Sequence, residues 1–136
     1  MLKKVFFISI IALFIEACTS SKKAIEVLSF EKTEIENSND TVYLEQCKKW
    51  ILDQSSLVEI ISSSDTITAH EKNYIFNTLP CEYKGKIRVK GKTYKFILNA
   101  GSYTVIYDKN SIYYLGYFKQ DKKFFIDKPD TKQDSE

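Results

Sequence analysis

KGKIRVKGKTYKFILNAGSYTVIYDKNSIYYLGYF, residues 84–118, decides the fold. Apolar and polar side chains alternate there with a period of two, and β-branched and aromatic residues dominate, as in half-buried strands. Turn signals interrupt the alternation at Gly91, at Ala100 and Gly101, and at residues 108–111, so the stretch predicts an antiparallel meander. One face of it, carrying Ile87, Val89, Tyr94, Phe96, Leu98, Val105 and Tyr107, has to be covered by another layer. The cover lies upstream. Tyr43, Leu44, Cys47, Trp50 and Ile51 fall on one helical face and Glu45 and Lys49 on the other, which predicts an amphipathic helix over residues 41–54. The expected fold class is α+β, an antiparallel β-meander of about four to five strands covered on one face by an amphipathic helix.

The flanking segments read less sharply. Residues 24–35 alternate weakly and suggest an edge strand, and the polar run 36–40 suggests a turn. Leu57, Val58, Ile60 and Ile61 form an apolar run too short to distinguish helix from strand. Residues 72–79 are rich in aromatic and branched side chains and stop at Pro80, which predicts a strand. A last short strand is expected over residues 124–126, and a polar tail over 127–136. With hydrophobic residues at 43% of the chain, disorder is excluded as the general state. A single domain spanning residues 24–126 is expected.

The N-terminus has the organisation of an export signal: Lys3 and Lys4, an apolar run over residues 5–15, and the small Ala17 before Cys18. That run falls short of the roughly 20 residues needed to span a bilayer core. Ile15, Glu16, Ala17 and Cys18 resemble the lipobox of bacterial lipoproteins, with Glu16 where a small residue is usual. The resemblance implies that residues 1–17 are a signal peptide, that Cys18 is acylated, and that residues 18–23 are a lipidated tether. It places the protein in the bacterial cell envelope, lipid-anchored and either periplasmic or on the outer surface. Removing the signal from the 136 residues leaves 119, with a formal charge of +1 in place of +2. On the oxidising side of a membrane, Cys47 and Cys81 are expected to form a disulfide, the alternative being two buried thiols that merely pack. Zinc is disfavoured because His70 is the only histidine and no C-x2-C spacing occurs.

Candidate chemistry concentrates in one pattern. Lys84, Lys86, Arg88, Lys90 and Lys92 recur at a period of two, opposite Ile87 and Val89, and so predict a cationic stripe on the outer side of the sheet. Such a stripe is either a solvated face that discourages edge pairing or a docking surface for an acidic protein partner. Nucleic acid is not expected outside the cytoplasm, whereas an anionic membrane or envelope polymer stays open as a partner of the stripe. Gly91, Lys92 and Thr93 end like a phosphate-binding loop, but the preceding glycine, Gly85, is one residue too distant and no helix follows. His70 with Asp65 and residues 62–64 lacks the strand-to-turn context that aims a nucleophile. No catalytic residue, cofactor or metal is expected. Tyr103, Tyr107, Tyr113, Tyr114 and Tyr117 crowd the last strands, and neighbours of opposite parity cannot all face one core.

Pro80 and Cys81, the run Ile97-Leu98-Asn99-Ala100-Gly101, Tyr114-Leu115-Gly116 and Phe124-Phe125 together resemble small envelope lipoproteins of bacteria. That group includes proteins thought to give immunity against a toxin delivered to the periplasm. The resemblance implies a lipid-anchored, non-catalytic binding or inhibitor protein, with a structural or assembly accessory of an envelope complex as the alternative.

Overall fold

The meander forms, and two further strands extend it into a six-stranded antiparallel sheet of order β1-β3-β4-β5-β6-β2. The computed structural model describes residues 25–34, 39, 41–119 and 123–130. In chain order the elements are β1 (Ile25–Glu34), α1 (Thr41–Lys49), α2 (Gln54–Ser63), β2 (Asp65–Ile67), α3 (Ala69–Ile75), β3 (Cys81–Val89), β4 (Lys92–Asn99), β5 (Tyr103–Tyr107) and β6 (Ile112–Gly116). The fold is α+β, with six strands where four to five were expected. Lys90 and Gly91 join β3 to β4 with φ of 50° and 78°, the left-handed pair that a two-residue hairpin turn needs.

One face of the sheet carries the main core. Tyr83, Ile87, Phe96, Leu98 and Ile106 are buried there beneath Leu57, Ile60 and Ile61 of α2, with Cys47, Trp50 and Leu52 alongside. The helix predicted over 41–54 ends at Lys49, and a second helix, α2, starts at Gln54 and takes in the apolar run of Leu57 to Ile61 whose type the sequence left open. The chain leaves helical geometry after Lys49, because Trp50 turns into the core and donates its ring N–H to the Phe124 carbonyl at 2.6 Å. The Leu52 N–H then donates to the buried Tyr83 hydroxyl at 2.8 Å. Asp53 restarts the helix as the N-cap of α2, and its carboxyl is held below the usual carboxylate range chiefly by the Ser56 N–H. A disulfide joins Cys47 to Cys81 with the Cα atoms 5.7 Å apart, and so fastens the end of α1 to the start of β3.

Val105 and Tyr107, expected on the face of Phe96 and Leu98, do not share it. The β4–β5 connection, residues 100–102, sets Leu98 opposite Thr104 and Phe96 opposite Ile106. Cross-strand partners share a face, so Thr104 and Ile106 join the main core while Val105 and Tyr107 turn to the other side. Thr104 is buried to 1% exposure, and its hydroxyl has no hydrogen-bond partner among the described residues. Thr104→Val is therefore expected to raise stability by about 1 kcal/mol, since it removes an unsatisfied buried oxygen at nearly constant volume. Chemical denaturation of the two proteins checks this, and a loss of stability would show that the hydroxyl is satisfied.

The second face is covered only in part. Residues 72–79 are not a strand: α3 occupies their first half, and the chain continues without regular structure to Pro80. A capping box decides it, with the Glu71 N–H donating to the Thr68 hydroxyl and the Thr68 N–H to the Glu71 carboxylate, both at 3.1 Å. Below α3, Phe76, Tyr103 and Ile67 form a small cluster with Ile75, Val105, Tyr114 and Phe118. Residues 124–126 are likewise not a strand, although Phe124 is buried. The tail does not become free at Asp127. The Ile126 and Asp127 N–H groups both donate to the Ala100 carbonyl, and the Asp130 N–H donates to the Ile75 carbonyl.

Candidate functional site: a cationic face of the sheet

β3 alternates cleanly. Tyr83, Ile87 and Val89 turn to the main core, so Lys84, Lys86 and Arg88 lie together on the second face, each exposed. The stripe ends there. Lys90 belongs to the hairpin turn, and Lys92 opens β4 opposite Val89, so neither continues the row as the period-of-two reading expected. A two-residue turn reverses the chain at Lys90 and Gly91, and strand alternation cannot pass through it.

Register rebuilds the patch across strands instead. Lys86 lies directly opposite Lys95, Lys95 opposite Tyr107, and Tyr107 opposite Ile112. Lys86, Thr93, Lys95, Tyr107 and Lys109, with Tyr94 and Asp108, line an open cleft of about 350 Å³. Lys95 and Lys109 are absent from the stripe read along the chain. The signal that finds Lys95 is the turn itself, since placing Lys90 and Gly91 at its centre puts Lys86 across from Lys95.

The cations differ in how they are balanced. Lys84 pairs with Glu82 at 3.1 Å, Arg88 with Glu26 at 3.0 Å, and Lys92 with Asp108 at 3.0 Å. The Asp108 carboxyl is held below the usual carboxylate range by the Asn110 N–H first and Lys92 next, and the Lys92 ammonium is correspondingly raised by Asp108. Lys86, Lys95 and Lys109 have no acidic partner among the described residues. The cleft thus presents uncompensated positive charge beside two phenol rings and a threonine hydroxyl, groups that attract and hydrogen-bond an anion.

The other candidates fall elsewhere. Cys18 lies outside the described residues. His70 is exposed on α3 with its ring centroid 4.2 Å from that of Tyr74, and Asp65 is exposed at the start of β2. Gly91, Lys92 and Thr93 form the hairpin turn and the start of β4 with no helix after them. No group of three or more metal-ligating side chains occurs among the described residues. Tyr114 packs under α3, whereas Tyr113 turns to the main-core face, edge-on to Tyr94 at 6.2 Å and 45% exposed.

The fold and the patch define a disulfide-stapled α+β domain with an open cationic sheet face. Comparison of the chain with protein-family models, curated proteins and solved structures finds no match.

Proposed function

We propose that this protein is a lipid-anchored, non-catalytic binding protein of the bacterial cell envelope, of inhibitor or immunity type, that docks an acidic protein partner on the face bearing Lys86 and Lys95. The observation that carries the reading is the opposition of these two lysines across β3 and β4, neither of them ion-paired among the described residues, since Asp108 in the same cleft is engaged by Lys92. Like charges directly opposite one another in a sheet are destabilising. A face that only had to be solvated would be more stable with an acid at either position. An acidic partner supplies the missing charge, and it does so on the part of the sheet that α3 leaves open. The disulfide supports an oxidising compartment outside the cytoplasm. The anchor rests on the residues from Ile15 to Cys18.

Lys95→Glu separates folding from binding. It converts a repulsive pair into an attractive one, so stability in denaturant is expected to hold or to rise by up to about 0.5 kcal/mol. Association with the acidic partner, isolated from envelope extract on the wild-type protein, is expected to slow markedly at low salt and to depend less on ionic strength, with a smaller change in dissociation. Equal association rates for wild type and Lys95→Glu at low salt would reject this face as the docking surface.

A further inference from the structure

β1 begins at Ile25, which lies opposite Val89, the last residue of β3. The chain therefore leaves the described domain beside the Lys90 and Gly91 turn. β4 and β5 cease pairing at Lys95 and Tyr107, whereas β3 and β4 continue for three further pairs to Val89 and Lys92. The hairpin tip thus projects about 10 Å past the last β4–β5 pair. Cys18 stands seven residues before Ile25, a span of at most about 25 Å when fully extended. An acyl anchor on Cys18 would hold this end of the sheet within that distance of the bilayer surface.

The side chains at this end suit a charged lipid surface. Lys90 and Lys109, on the β3–β4 and β5–β6 turns, are exposed and have no acidic partner among the described residues. Next to them Ile112 is 61% exposed and Tyr113 45%, and an open apolar groove of about 210 Å³ runs over Val89, Tyr94, Ile106, Tyr113 and Leu115. The opposite end of the sheet, where β3 starts and β4 ends, is covered. There Cys81, Asn99, Tyr103 and Gly116 are buried, with Cys81 bonded to Cys47 of α1 and the Ala100 carbonyl held by the Ile126 and Asp127 N–H groups.

We propose that the sheet end formed by Lys90, Lys109, Ile112 and Tyr113 docks on the anionic phospholipid surface of the membrane that holds the anchor. The proposal rests on the reading of Cys18 as lipidated. Basic side chains near an anionic leaflet and tyrosine at headgroup depth act as a second membrane signal beside an acyl chain. Docking by this end engages Lys109 at the rim of the cleft and leaves Lys86 and Lys95 beside the bilayer for a partner.

The test uses the full-length, processed protein in vesicles of phosphatidylcholine alone and of phosphatidylcholine with about one third phosphatidylglycerol. Fatty-acid labelling and flotation with the zwitterionic vesicles report the anchor. Amide hydrogen exchange at residues 89–92 and 108–113 reports the docked end. Slower exchange there is expected only with the anionic vesicles, reversed by salt. Lys90→Asn together with Lys109→Gln should reduce the protection on the order of tenfold or more, at about fivefold per lysine, and asparagine tolerates the left-handed backbone at position 90. Flotation with both vesicles but identical exchange would overturn the docking alone. Absence of label and of flotation with zwitterionic vesicles would overturn the anchor and the docking with it.

Discussion

Gly101→Ala is expected to cost more than about 3 kcal/mol of stability, enough to leave a domain of this size largely unfolded or aggregated on expression. A Cβ at this position would stand 1.7 Å from the Asn77 backbone carbonyl oxygen, so one of two chain segments must move. Neither is free to do so. Asn99, fully buried, accepts from the Leu79 and Gly101 N–H groups at 2.9 Å and donates to the Leu79 carbonyl at 3.0 Å. The Ala100 carbonyl accepts from Ile126 and Asp127, and the Ser102 carbonyl accepts from Tyr117. One buried connection between β4 and β5 therefore holds the segment after α3, the end of β6 and the C-terminal segment. Asn99→Ala tests the same junction from its side chain. It leaves two N–H groups and a carbonyl buried without partners, with an expected loss of roughly 3 kcal/mol or more. Asn99→Asp keeps the acceptor but brings a buried charge and no donor, so it should not restore stability. Urea denaturation of the three variants measures the series, and a Gly101→Ala protein as stable as wild type would show that the Asn77 segment yields freely.

Replacing Cys47 and Cys81 together by alanine is expected to lower stability by roughly 4 kcal/mol on the loop-entropy estimate for a bridge across 34 residues. The loss should not be uniform. Cys47 is the sole buried residue of α1, whereas α2 packs on the sheet through Leu57, Ile60 and Ile61. Without the bridge, α1 retains the partly buried Tyr43 and the neighbouring Trp50 as its apolar contacts with the core. Amide exchange in the double variant is therefore expected to accelerate first and most in α1, with the centre of β3 and β4 the last to open. Uniform acceleration across α1 and the sheet would mean that the bridge stabilises only by constraining the unfolded chain.

The strands of the meander were legible because each is half buried, and half burial writes a period of two into the side chains. β3 and β4 appear where the alternation of residues 84–98 places them. The Cys47–Cys81 pair was also legible, because the reading of Cys18 as the anchor leaves these two cysteines on the oxidising side of a membrane, where a disulfide persists. The helix over residues 69–75 was missed because its aromatic content favours a strand in isolation, although Thr68 and Glu71 at capping-box spacing were present to be read. The break at Trp50 carried no comparable signal. Nothing local announces that an indole will donate to a carbonyl 74 positions further on.

The candidate site divides along the same line. By itself the sequence determined that a strand near residue 87 carries basic side chains on one side, since alternation is a property of the strand alone. Only the tertiary structure decided which of those charges stand uncompensated. Register brought Lys95 opposite Lys86, gave Glu26 to Arg88 and Asp108 to Lys92, and turned Tyr107 to the cationic face in place of the core. The physical reason is that a strand's periodicity is local, whereas its neighbours depend on turn lengths and strand order. A charge is compensated or left open by what lies about 5 Å across the sheet, at a distance along the chain that alternation does not encode.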